Sequence, residues 1–114
     1  MTRGEIWWVD FGVPMESGAG DKHPAVVIQN DNYNASNIYT TAVVPITSNI
    51  TLAEHPDNVL LKSEVSHLPK DSVVTAPLIT AIDKNQLVEK VSKLPFSEME
   101  KIENGVLHLF GILD

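Results

Sequence analysis

The stretch "PAVVIQN", residues 24–30, constrains this chain most. It is a continuous apolar run rich in β-branched residues and bounded by turn-forming ones, which reads as a central strand. Every other element has to be arranged around it. Proline lacks an N–H and is tolerable in such a strand only as its first residue, so the strand is expected to begin at Pro24.

Similar runs flank it. "EIWWVDF" (5–11) and "TTAVVPI" (40–46) read as strands, and "NVLLK" (58–62) as a short fourth one. "DSVVTAPLITAI" (71–82) reads as a longer fifth strand, bent or bulged at Pro77. Between them, "GVPMESGAGDK" (12–22) has the glycines and proline of a mobile loop. "DNYNASNIY" reads as a turn region or one helical turn, and "TSNITLAEHPD" as a polar loop. From Asp83 the period changes. Asp83 is placed to cap a short helix through "KNQLVEKVSKL", and "SEME" (97–100) has the spacing of a capping box with Ser97 at the cap. The helix it opens carries Met99, Ile102, Val106, Leu109, Phe110 and Leu113 on one stripe. Gly105 inside it costs about 1 kcal/mol relative to alanine, which points to close packing there. The order of elements, strands and then helices, predicts a small α+β domain, mainly β, spanning 1–114. Its expected architecture is a curled, SH3-like barrel of five or more strands with a C-terminal helix.

Composition narrows the function. With 20% charged and 43% hydrophobic residues the chain has the balance of a soluble globular domain. It has no cysteine, hence no disulfide or thiolate metal site. The N-terminus lacks a signal-peptide core, and no stretch has the roughly 20 apolar residues of a membrane span, so a cytoplasmic, non-membrane protein is expected. A net charge of −7 argues against indiscriminate nucleic-acid binding. Much of the acidity is late, however, at Glu89, Glu98, Glu100 and Glu103, which leaves room for a neutral or positive groove elsewhere.

His55, His67 and His108 have no ligand at metal-site spacing, and neither a nucleophile elbow nor a phosphate-binding glycine loop is present. No metal and no cofactor is expected. Two features remain. Lys22 and His23 stand directly before the central strand, and Thr47, Ser48 and Asn49 directly follow another. Strand ends hold side chains rigidly toward a ligand. Short polar residues can hydrogen-bond phosphate oxygens, and neighbouring cations can balance their charge. The plain alternative is that "TSN" is turn chemistry and "KH" a solvated strand entrance.

At these words the sequence resembles the MazF/PemK family of bacterial toxins, sequence-selective and metal-independent mRNA endoribonucleases. The resemblance runs through "RGEIWWVDF", "HPAVVIQND", "VVPITSN", "LPKDSVV", "IDK" and a closing "LFGIL". It implies an SH3-like barrel with a C-terminal helix and a homodimer with an RNA groove across it. It also implies a cognate antitoxin, a small acidic and partly disordered protein that blocks the groove. By position, Thr47 matches the family's catalytic threonine, and His23 falls where the family usually carries its catalytic arginine. Ser17 matches the serine of a "GSE" word, with Gly18 where the glutamate belongs and Glu16 on the other side. Leu78 stands at a base-contacting glutamine position. The reading is an enzyme with His23 and Thr47 catalytic, and Ser17, Lys22, Ser48 and Asn49 binding single-stranded RNA. Because the departures fall on functional positions, a second reading stands beside it: a weak or silent member that acts by binding RNA, an antitoxin or a protein target, as the gyrase poisons of the same fold do.

Overall fold

A computed structural model describes residues 1–12 and 22–112. Ser17, with Glu16 and Gly18, lies outside the described residues. Seven strands form one curled antiparallel sheet: β1 (Glu5–Asp10), β2 (Lys22–Val27), β3 (Thr40–Thr47), β4 (Val59–Leu61), β5 (Ser72–Val74), β6 (Thr80–Asp83) and β7 (Leu87–Lys93). The order across it is β4-β5-β3-β2-β1-β7, with β6 also paired to β3. Two single-turn helices, α1 (Asp31–Asn34) and α2 (Ser63–Ser66), sit in connections, and α3 (Phe96–Leu109) closes the chain. The sheet curls into a half-barrel, and the Ser92 hydroxyl on β7 donates to Ser66 O at 2.5 Å, tying one end of the sheet to α2. Among the described residues no helix is long and apolar enough to cross a membrane.

Strand alternation divides the core. Ile6, Val26, Val44 and Ile46 point to one side, where Met99 and Ile102 of α3 meet them; Val9, Ala25, Val27 and Val43 point to the other, with Ile82. Gly105 is buried as its cost suggested: a β-carbon there would lie 2.3 Å from Asp57 O.

Three expectations need correction. Residues 84–93 are no helix. The pattern Leu87, Val91, Leu94 fits a helical period, but the Asp83 amide bonds Gln86 Oε1 (2.7 Å) around a single 3-10 turn, Lys84–Gln86. The chain then extends as β7 to pair with the second edge of β1, which would otherwise be bare. Ser97 does not cap α3; the cap position is two residues earlier, at Pro95, with no side-chain cap. Of its predicted stripe, Phe110 lies past the helix end and is exposed, and Leu113 lies outside the described residues. Pro24, finally, is the third residue of its strand and not the first.

The single strand expected over 71–82 is two strands, broken around Pro77 where a bend or bulge was expected, and the origin of the break is on the opposite strand. β5 and β6 run along the same edge of β3, interrupted by a 3-10 turn at Ala76–Leu78. Pro45 has no amide to offer that edge. The facing chain leaves the ladder there, and the Thr75 amide (3.0 Å) and hydroxyl (2.7 Å) both donate to Pro45 O. The "IDK" lysine is structural too: Lys84 Nζ bonds Asn34 O (2.9 Å), Ser36 O (3.1 Å) and Tyr33 O (3.4 Å), which closes the turn after α1.

Candidate active site

The β2–β3 ladder opens where the sequence placed the chemistry. Backbone groups along a strand alternate between its two edges. The Ile28 amide donates to Ala42 O on β3, whereas Val27 O accepts from Gly4 on the β1 side. Even-numbered residues of β2 therefore face β3, and Pro24 is one of them. Its ring deletes a donor that β3 would have used. The ladder accordingly ends at the Ala25–Pro45 pair. Two more steps of that register would set His23 opposite Thr47, and a third Lys22 opposite Ser48. In place of further pairing, the two strand ends border a cavity of about 480 Å³ lined by Lys22, His23, Thr47, Ser48 and Asn49. Five of the six candidates thus converge; Ser17 is the one outside the described residues.

Each side chain has a definite setting. The Thr47 hydroxyl oxygen accepts from the Asn49 amide at 3.2 Å, which fixes its rotamer and leaves its own O–H to donate. Asn49 Oδ1 takes the Thr51 amide (3.3 Å) and hydroxyl (2.7 Å), capping a 3-10 turn at Ile50–Glu54, so its NH₂ is the part it can offer a ligand. The turn-chemistry reading of "TSN" is correct for two of its three residues, and it is also what orients them. Lys22 is exposed at the rim, whereas His23 is only 5% exposed. Its ring meets the Phe11 ring edge-on, centroids 6.2 Å apart at 65°. Leu78 is half exposed and does not line the cavity.

Sequence reasoning missed the opposite wall. Trp8, Pro24, Ile46 and Leu68 give the cavity an apolar side, and Lys70 and Ser72 a polar one. His67 ends α2 with a left-handed φ of 64°, the Leu68 amide donates to Ser66 Oγ (3.1 Å), and Ser72 Oγ donates to Lys70 O (2.9 Å). These local bonds shape the "LPK" turn that carries Lys70 to the rim. A lysine close before a strand is the kind of signal that drew notice to Lys22, and Lys70 stands two residues before β5. Beside it, the Ser63 amide holds the Asp71 carboxyl below its usual range, with Lys62 assisting, and Asp71 does not line the cavity. Among the described residues no three His, Cys, Asp or Glu side chains converge as a metal site would require.

The model of the family described as PemK-like, MazF-like toxin of type II toxin-antitoxin system matches residues 2–110. Endoribonuclease MazF6 of Mycobacterium tuberculosis is 40% identical over 112 residues, covering 98% of each chain. Endoribonuclease MazF of Staphylococcus saprophyticus is 34% identical over 106 residues, 93% of this chain and 88% of its own. Among solved structures, a MazE-MazF structure from Deinococcus radiodurans superimposes with a TM-score of 0.78 at 20% identity, covering 98% of this chain and 97% of that one. A match over nearly the whole chain, by family model and by relatives well above 30% identity, establishes that this protein belongs to the PemK/MazF family of toxin–antitoxin toxins.

Proposed function

We propose that the chain is an endoribonuclease that cleaves single-stranded RNA at this cavity without a metal ion. The ribose 2′-hydroxyl attacks the adjacent phosphorus and expels the 5′-oxygen of the next nucleotide. The products are a 2′,3′-cyclic phosphate and a 5′-hydroxyl. Such a reaction needs a proton acceptor for the 2′-hydroxyl, a donor for the leaving oxygen and stabilisation of a charged phosphorane. His23 exchanges the proton, Thr47 donates its O–H to a phosphate oxygen, and Lys22 balances the charge. Ser48, the Asn49 NH₂ and Ser17 bind the backbone, and the flat face of Trp8 offers a base a stacking surface. The observation that carries this reading is the convergence of Lys22, His23, Thr47, Ser48 and Asn49 on one cavity at an opened strand pair. The working form is a homodimer in the cytoplasm, and the partner is a cognate antitoxin, as the Deinococcus radiodurans pair suggests.

One observation favours the second reading, action by binding alone: His23 is almost fully buried and packed on Phe11, the setting of a structural histidine. Incubation of purified protein with single-stranded RNA in EDTA separates the two. The enzyme reading expects new 5′-hydroxyl ends, and a loss of about 10²–10⁴-fold in His23→Ala. Intact RNA with the wild-type protein refutes it. Growth arrest without new ends then identifies the binder.

A further inference from the structure

The chain carries eight Lys and Arg residues against fifteen Asp and Glu. Six of the eight are engaged within the fold. Arg3, Lys62, Lys90 and Lys101 are paired with carboxylates. Lys84 is bound to three carbonyls, and Lys93 donates to the Thr2 hydroxyl. The two that enter no ion pair or hydrogen bond among the described residues are Lys22 and Lys70, and both line the same cavity. No Asp or Glu among the described residues lines it with them. Asp71, the carboxylate next to Lys70 in the chain, is taken by the Ser63 amide at 2.8 Å and by Lys62 at 3.5 Å. In a chain this acidic, the gathering of these two cations at one opening with no carboxylate among its described lining residues favours anion binding there.

The two lysines reach the opening from different parts of the fold, Lys22 from the start of β2 and Lys70 from the turn before β5. Both lysines therefore line the opening that an RNA backbone would cross. Histidine, whose charge depends on pH, cannot supply a fixed charge at neutral pH. Resting on the RNA-cleaving reading above, we propose that Lys70 is a phosphate-binding residue of this site, supplying with Lys22 the constant positive charge that His23 does not.

The test measures RNA binding separately from cleavage. The probe is a mixed-sequence single-stranded RNA fully 2′-O-methylated, which has no 2′-hydroxyl to attack and so binds without being cut. Each phosphate neutralised contributes about 0.7 to the slope of log affinity against log salt. Lys70→Gln is expected to weaken binding about tenfold at low salt and to lower that slope by about 0.7, with Lys70→Arg close to wild type. Lys101→Gln, on α3, serves as the control and leaves both unchanged. Thermal melts confirm that Lys70→Gln, altered at an exposed position, is folded. A Lys70→Gln protein with wild-type slope and affinity overturns the proposal, while cleavage of ordinary RNA by the wild type leaves the ribonuclease reading standing. A Lys70-dependent slope in a wild-type protein that cuts nothing upholds the phosphate site and rejects the ribonuclease.

Discussion

Replacing Gly105 with alanine sets two effects of opposite sign against each other. In an open helix the change stabilises by about 1 kcal/mol, because glycine is the worse helix former. Here the new β-carbon would sit 2.3 Å from Asp57 O and 3.2 Å from Asp57 C, where real contacts do not fall below 3.0 Å. α3 and the Asp57 backbone must therefore part by about 0.7 Å at the least. Neither side yields readily. Asp57 is held by His108 at 2.8 Å, and the next residue, Asn58, takes the Ala76 amide at 3.0 Å. Met99 and Ile102 fix α3 in the core. Overpacking of this kind costs typically 1–3 kcal/mol, which exceeds the propensity gain. Gly105→Ala should be destabilised by about 1–2 kcal/mol, and its melting temperature should fall by about 4–10 °C for a domain of this size. Urea and thermal denaturation measure both. Because the clash is with the main chain, Asp57→Ala should not relieve it. A Gly105→Ala protein as stable as wild type, or more so, would refute the packing argument.

Two further outcomes follow from charged groups held by several hydrogen bonds. Burial would raise the Glu5 carboxyl, but hydrogen bonds from Trp7, the Thr2 amide and hydroxyl, and Lys90 outweigh it and bring the group from 4.5 to about 2. A carboxyl lowered in the fold stabilises above its unfolded value and loses that contribution as pH falls from about 4.5 towards 2. The loss amounts to about 3 kcal/mol, so urea midpoints should drop through this window and Glu5→Gln should show a shallower decline. Lys84→Met strips three carbonyls of their shared donor; destabilisation of about 1–3 kcal/mol in the same assay is expected, and an unchanged midpoint would show that water replaces the ammonium without loss.

The strands were legible where β-branched and aromatic residues ran together, as in "EIWWVDF" and "TTAVVPI". Residues 87–93 were not, because Leu87, Val91 and Leu94 fall on a helical period. The deciding fact was the second edge of β1, a tertiary demand that local sequence does not carry. In the site, Lys22, His23 and Thr47 could be found from their places at strand ends. Trp8 and Lys70 could not be joined to them without the curl of the sheet, which brings β1 and the turn before β5 to the same opening. An irregularity near Pro77 was legible, but not that it splits the strand in two; its cause is Pro45 on the partner strand, a relation visible only once the register is known.

The opening at Pro24 has an evolutionary consequence. A gap cut into a sheet ordinarily strands amide donors, each of which then limits what can stand nearby. Proline leaves no donor to strand. The vocabulary at the rim, positions 22, 23, 47 and 48, is thereby released from the hydrogen-bond pattern that holds β2 against β3. Such a site can exchange one chemistry for another, an imidazole for a guanidinium, while the strands behind it keep their pairing. Selection can rewrite the mouth of this molecule without renegotiating its fold.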